Sequence, residues 1–445
     1  MLFFYSILFT LGVLVTAPYY LWRLRGNIIS SADWRERLGF LPRAFQQSEP
    51  GAIWVHAVSV GETLAVAGLV REIQHRYPDR KIFLSHVTVA GREAGASRLP
   101  GIAGRFLLPL DWASSMRRAF RRIEPALLIV VETELWPNML RAAREAGTRV
   151  VVVNGRISDR SFPRYRWIRF FMHSVLGNVN QICAQSEIDA ERFLSLGAAP
   201  ERVGVTGNLK FDARPPEFGD FARCLARTCD AAGRRPVLVA GSTMAGEEAL
   251  LLPVWRQVRQ NYPRALLILA PRHPARFEEV ATLLGEGGMK FVRRTQLVLE
   301  DDSLSAKIED AEVLLLDTIG ELAGVFELAD AVFMGGSLVP TGGHNVLEPA
   351  YWAKPILFGP YMHNFRDIAQ LLLAQDAAVQ VQDAAGLSVA LAGLFSQPER
   401  RARLGQAARK VLDSQRGATA RVLEIVEQWL DPPVAERPPA APRTL

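Results

Sequence analysis

Several short stretches bring together residue types that can move a proton or hold a phosphate. The run WVHAVSVGETLAVAGLV, residues 54–70, reads as a buried strand, a glycine turn and a helix start, with Glu62 at the helix mouth. A carboxylate there can cap the helix or take a proton from an attacking hydroxyl. The positive end of the helix is expected to keep its pKa low and the group ionised at neutral pH. ALLIVVETELWPNML ends a strand on Glu132 and Glu134, and GNLKFD offers Lys210. Two carboxylates and a cation beside a cleft make an acid/base or sugar-binding environment. Such acids also serve as plain helix-start caps, and Lys210 beside Asp212 can be a weak surface pair.

In the second half, PRHPARF begins at Pro271 after an apolar run, where Arg272 supplies a planar cationic fork and His273 a further donor for a phosphate. MGGSLVPTGGHNVLEPAYWAKPILFG carries Gly335, Gly336, Gly342 and Gly343, then His344, Asn345 and Glu348. Glycines let backbone N–H groups approach an anion, Asn345 opens a short helix, and Glu348 is placed to accept from ribose hydroxyls. LLLDTIGELAGVF puts Thr318, Ile319, Gly320 and Glu321 at another strand-to-helix turn, able to touch a base or ribose or to be an ordinary connection.

The elements that position these residues follow from hydrophobic rhythm. AIWVHAV, KIFLSHV, ALLIVVE, RVVVVNG and QICAQ read as strands, and PVLVAGS, ALLILAP, KFVRR, EVLLLDT, AVFMGGS and PILFGP as a second series. Longer helical patterns separate them, as in parallel sheets with crossover helices. Residues 210–235, with a proline pair and a glycine, mark an interdomain linker. Two doubly wound halves would form a cleft between the carboxyl ends of two sheets, where such folds bind ligands.

Composition narrows the function class. The chain has 445 residues, about half of them hydrophobic, and a net charge of +6 resting mainly on arginine, which suits an anionic substrate or surface. Three cysteines without paired spacing fit a reducing compartment and core positions. The first 22 residues carry no charge, nearly the length of a bilayer-crossing helix, and Arg23, Arg25, Arg35 and Arg37 follow. A membrane anchor with the body cytoplasmic is expected, with Tyr19, Tyr20 and Trp22 at headgroup level. A buried core helix, or a monotopic hairpin lying in one leaflet, is the alternative, since Pro18 interrupts the far end. The segment NGRISDRSFPRYRWIRFFMHSVL interleaves Arg156, Arg160, Arg164, Arg166 and Arg169 with Phe162, Trp167, Phe170 and Phe171, suiting a lipid interface better than nucleic acid beside such an anchor. No DxD motif sits at a strand end, so no divalent metal and no cofactor are expected. The proline-rich residues 431–445 read as a disordered tail.

HAVSVGE, ETELWP, NGRISDRS, GNLKFD, GSTMAGEE, PRHPARF, GGSLVPTGGHNVLEPA and FGPYMHNF, spread over residues 54–366, together resemble the 3-deoxy-D-manno-octulosonic acid (Kdo) transferases of lipopolysaccharide synthesis. The resemblance implies an α/β GT-B fold: an anchor at 1–25, an acceptor and Kdo domain at 26–214, a CMP-binding domain at 215–430, and a last helix that crosses back. It implies inverting transfer of Kdo from CMP-Kdo to a lipid A precursor, lipid IVA, on the cytoplasmic side of the inner membrane. Glu62 then takes the role of general base, and Glu132 and Lys210 support the transition state. The CMP contacts carry over to Pro271, Arg272, Ile319, Gly320, Glu321, Asn345, Val346, Leu347 and Glu348. A UDP-sugar transferase or sugar-nucleotide epimerase of similar architecture, and a non-catalytic nucleotide or lipid receptor, are the competing classes.

Overall fold

The structure, a computed structural model, describes residues 2–23, 31–46, 51–213, 216–298 and 303–431. The expected disordered tail beyond Asp431 and Arg25 lie outside these residues, as do the side chains of Tyr19, Tyr20, Trp22 and Arg23. The chain divides into two units, 1–213 with 415–445, and 214–414.

The first unit holds a seven-stranded sheet of β1 Ala52–His56, β2 Ile82–His86, β3 Gly104–Leu107, β4 Pro125–Val131, β5 Arg149–Gly155, β6 Gln181–Ala184 and β7 Val203–Val205, in the order β3-β2-β1-β4-β5-β6-β7. Every neighbouring pair is parallel. Strands covered by helices on both faces need no polar side, which is why β1, β4 and β5 read as unbroken apolar runs. Alternate residues nevertheless enter different cores: Trp54, Leu128, Val130 and Val152 point to one face, Ile53, Val55, Ile129 and Val151 to the other.

The second unit repeats the plan with β8 Val237–Thr243, β9 Leu266–Pro271, β10 Phe291–Arg293, β11 Val313–Leu315, β12 Ala331–Met334, β13 Ile356–Phe358 and β14 Val379–Gln380, in the order β10-β11-β9-β8-β12-β13-β14. Its pairs are parallel too. Two seven-stranded parallel sheets with helices give the expected GT-B-like α/β fold.

The last helix, Ala418–Leu430, belongs to the first unit, as the expected crossing back implies, so the second unit ends at residue 414 and not at 430. Its stripe of Val422, Leu423, Val426 and Leu430 packs on the face of Ile53 and Val55. Each such side chain contributes about 1.5–3 kcal/mol by burial. Asp212 fixes its start, accepting from the N–H groups of Gly417 at 2.8 Å and Thr419 at 2.5 Å, and Arg421 Nε donates to Thr206 O at 2.8 Å. Asp212 is therefore a cap for a distant helix rather than a surface partner of Lys210.

The charge-free N-terminus forms one helix, Leu2–Arg23. Among the described residues no helix is long and apolar enough to cross a membrane, and the expected anchor at 1–25 is not shown. One face of this helix is bonded to the rest of the first unit. Tyr5 Oη donates to Asp111 Oδ2 at 2.9 Å, Asn138 Nδ2 to Ser6 Oγ at 3.0 Å and Trp112 Nε1 to Thr10 Oγ1 at 3.0 Å. Tyr5 stacks on Phe171, and Phe9 meets Trp112 and Trp136 edge-on. Phe3, Phe4, Leu8, Leu11, Leu14 and Val15 on the same helix are exposed.

Candidate functional site

In a doubly wound sheet the ligand crevice lies at the carboxyl ends of the two strands between which the chain reverses its direction of travel. In the first unit those strands are β1 and β4. HAVSVGE leaves β1 and ETELWP leaves β4, so the two acidic motifs flank one switch point.

Ser59 is the N-cap of the helix Val60–Arg76, and Glu62 is its third residue. Ser59 Oγ accepts from Glu62 N and donates to Glu62 Oε1 at 3.0 Å, while Val58 N donates to Glu62 Oε2 at 2.8 Å. Ser59 Oγ is thus the cap of the helix, and Glu62 reaches back past it to the N–H of Val58, the residue before the cap, where a capping box would engage the cap's own N–H. Its expected low pKa is overturned. Burial first, then the charges of Glu132 and Glu134, push the carboxyl up to about 7 against the pull of Val58 N–H and Ser59. The helix end is outweighed by burial, with two carboxylates just beyond the end of the neighbouring strand adding to the rise.

Glu132 follows β4 with φ 59, and Asn154, beside it on β5, has φ 55. A left-handed backbone at adjacent non-glycine residues is strained, and such strain concentrates at functional sites. Glu132 N is held by Val153 O at 2.9 Å, and Asn154 Oδ1 accepts from Leu209 N at 3.0 Å. Asn154 thereby fixes the short turn Leu209–Asp212, which presents Lys210. Lys210 Nζ lies 3.4 Å from Glu132 Oε1, both about one-fifth exposed. Glu62, Glu132 and Lys210 are thus brought to one place. Glu134 joins them, accepting from Trp136 Nε1 at 2.9 Å, its pKa raised by burial. The sequence reading left Asn154 without a role, although it stands in NGRISDRS directly after a run of four valines.

In the second unit the switch strands are β8 and β12. The chain leaves β8 through Ser242, which has φ 56 at a break in the register with β9. Glu247 then accepts from the backbone N–H groups of Met244, Gly336, Ser337 and Leu338 at 2.6–2.9 Å. This corrects the expectation that the first glycine pair cradles a ligand anion, for a buried carboxylate of the chain already occupies it. The glycines answer to crowding: a Cβ on Gly335 would lie 2.5 Å from Ser242 O, and one on Gly343, at φ +72, 2.2 Å from Met362 Sδ. Glu247 was missed in the sequence. Its signal was the acid pair of GSTMAGEE directly after a buried strand.

The two arginines of PRHPARF have separate tasks. Arg276 forms a two-pronged pair with buried Glu248, at 2.8 and 3.0 Å. Arg272, after β9, is exposed, and only its backbone N–H is bonded, to Thr243 O at 2.9 Å. His344 stands near Arg272 and His273: burial and those two charges hold its pKa at about 4, so its ring is neutral at pH 7. Pro271, Val346 and Leu347 are buried, leaving backbone groups as their means of contact. Asn345 Nδ2 donates to Glu348 Oε1 at 3.1 Å, and Asn345 Oδ1 accepts from Leu347 N. The helix following them is Leu347–Tyr351. Trp352 at its end donates to Ala323 O at 2.7 Å, tying HNVLE to the TIGEL turn. There Ile319 is 77% exposed beside Gly320, at φ +95. Glu321 is engaged by Arg294 at 2.8–3.2 Å and by Thr318 Oγ1, which narrows its expected contact role.

A family sequence model described as 3-deoxy-D-manno-octulosonic-acid transferase (kdotransferase) matches residues 32–213. The 3-deoxy-D-manno-octulosonic acid transferase of Haemophilus influenzae is 34% identical over 439 residues, covering 96% of this chain and 99% of that one. Its counterpart from Bordetella pertussis is 33% identical over 439 residues, covering 95% and 99%. Among solved structures, a putative UDP-N-acetylglucosamine 2-epimerase from Listeria monocytogenes has a TM-score of 0.55 at 12% identity, covering 88% of this chain and 98% of that one, a likeness of fold alone.

Proposed function

Because the chain belongs to the 3-deoxy-D-manno-octulosonic acid (Kdo) transferase family, we propose that this glycosyltransferase moves Kdo from CMP-Kdo to a lipid A precursor, lipid IVA, with inversion and with Glu62 as general base. The observation that carries the reading is a half-buried carboxyl at a switch point with its pKa pushed up to about 7. A base is most effective when its pKa lies near the working pH, because it is then both available and strong enough to accept.

The step balances without a co-reactant. The bond between the anomeric carbon of Kdo and the phosphate oxygen breaks, and CMP leaves with the electron pair. The acceptor oxygen bonds to that carbon, and its proton passes to Glu62. Lys210, 3.4 Å from Glu132, supplies a positive charge for the Kdo carboxylate or for charge developing in the transition state. In the second unit, exposed Arg272 supports binding of the single phosphate of CMP, and Ile319 offers an apolar surface to the base. The linked pair Asn345 and Glu348 is suited to ribose hydroxyls.

The lipid acceptor calls for attachment to the inner membrane from the cytoplasmic side. Exposed Phe3, Phe4 and Leu8 on the N-terminal helix, and exposed Trp167 and Phe170, are joined through the Tyr5–Phe171 stack. Arg164, Arg166 and Arg169 are exposed alongside. An apolar face edged with arginines suits a helix lying in one leaflet of an anionic membrane. Mass spectrometry of the glycolipid formed from CMP-Kdo and a bisphosphorylated, acylated diglucosamine tests the reading. A Kdo adduct with release of CMP is expected, and an unchanged glycolipid overturns it.

A further inference from the structure

Resting on the reading of Glu62 as base, we propose that Tyr5 and Phe9 of the N-terminal helix are positioning residues for the carboxylate turn 132–136, so that this helix sets the rate of transfer as well as any attachment to lipid. The turn ends at Trp136, the N-cap of the helix Pro137–Glu145, and Trp136 provides no side-chain cap of its own. Asp111 supplies the cap from another strand's end. Its Oδ2 accepts from Asn138 N at 3.0 Å and its Oδ1 from Met139 N at 2.8 Å. Asp111 is 1% exposed, and the third donor it accepts from, at 2.9 Å, is Tyr5 Oη.

Phe9 reaches the turn by a second route. Its ring meets that of Trp136 edge-on, with centroids 6.4 Å apart. The Trp136 indole N–H is the donor to Glu134 Oε2 at 2.9 Å, and Glu134 is one of the two carboxylates whose charge acts on Glu62. Contact therefore runs from Phe9 to Trp136 to Glu134 and through the electric field to Glu62. A side chain fixed at its ring and at its N–H has little freedom left, which is what a catalytic carboxylate cluster requires of its supports. A helix serving only to attach the chain to lipid needs none of these contacts.

The test uses the full chain in detergent micelles, at saturating CMP-Kdo and bisphosphorylated acylated diglucosamine, where access to a bilayer no longer matters. Phe9→Leu and Trp136→Phe are each expected to lower kcat about tenfold with the KM for CMP-Kdo unchanged. The double variant is expected to lose about tenfold as well, since both changes cut one path. Tyr5→Phe, which removes a single oxygen, is expected to lower kcat about threefold at a temperature where thermal unfolding shows the variant fully folded, although the lost bond to buried Asp111 lowers its unfolding midpoint. The proposal is overturned if the two single losses multiply in the double variant. It is equally overturned if kcat in micelles stays at the wild-type value in Tyr5→Phe and Phe9→Leu while transfer on vesicles falls. Failure of the wild-type chain to transfer Kdo would count against the functional reading itself, and the two failures are therefore distinct.

Discussion

Replacing Glu62 by Gln should make the protein more stable at alkaline pH while abolishing its proposed chemistry. The carboxyl's ordinary value of 4.5 rises to about 7 in the folded chain, chiefly through burial and then through Glu132 and Glu134. Between those values the folded state holds a proton that the unfolded state releases, so the group's contribution to stability falls as pH rises through that window. Below it both states are protonated and nothing is lost, whereas above about pH 7 the full penalty applies. At about 1.4 kcal/mol for each pH unit the two values are apart, the penalty is about 3 kcal/mol. We expect about 2 kcal/mol to be realised, because the carboxylate retains some contact with water. Gln keeps an oxygen for Val58 N–H but carries no charge to bury or repel. Thermal unfolding of wild type and Glu62→Gln at about pH 5 and about pH 8 should show the variant gaining about 2 kcal/mol only at the higher pH. A variant that is less stable at pH 8, or a difference independent of pH, would refute the reasoning.

Other consequences follow from the same geometry. Glu134→Gln removes one of the charges that raise the Glu62 pKa, so the acid limb of the transfer rate should move to lower pH, read as a shifted midpoint in the pH profile. Arg272→Ala should weaken CMP binding about tenfold or more in a calorimetric titration and leave the unfolding midpoint unchanged. Arg276→Ala should destabilise the chain by about 3 kcal/mol, because Glu248, with 1% of its side chain exposed, would be left buried and unpaired. Asp212→Ala should cost about 1–2 kcal/mol and speed hydrogen exchange in residues 418–430, since two N–H groups at that helix start lose their acceptor.

The sheet architecture was legible because burial on both faces leaves a plain mark. β1, β4, β5, β8 and β9 are long apolar runs closed by turns, and each lies within a residue or two of its expected place. β3, β7 and β14 carried little signal: they are four, three and two residues long, and glycine lies in both β3 and β7. The amphipathic stripe of Ala418–Leu430 does not by itself say which sheet it covers, and only the family resemblance implied that it crosses back. Its partner is decided by Asp212, some two hundred residues earlier, an acid that looked like the companion of Lys210.

The site was legible as motifs at strand ends and illegible as electrostatics. The pKa of Glu62 depends first on burial and then on Glu132 and Glu134, which follow a different strand and meet it only in the folded unit. Reading the helix end alone gave the wrong sign. The glycine loop misled for a related reason, since its N–H groups are satisfied by Glu247 from across the sheet. The N-terminal helix was read from its lack of charge, whereas Tyr5, Ser6 and Thr10 carry the polar atoms that bind it to the first unit.

The most direct test of the central claim is the pH dependence of Kdo transfer at saturating substrates, measured for wild type and Glu62→Gln. The wild-type rate should rise through a single ionisation near pH 7. In the variant that ionisation should vanish, with a residual rate lower by about 10²–10⁴-fold and CMP binding intact. A wild-type profile that is flat across neutral pH, or a variant that keeps the same ionisation and a near-normal rate, would contradict Glu62 as the base.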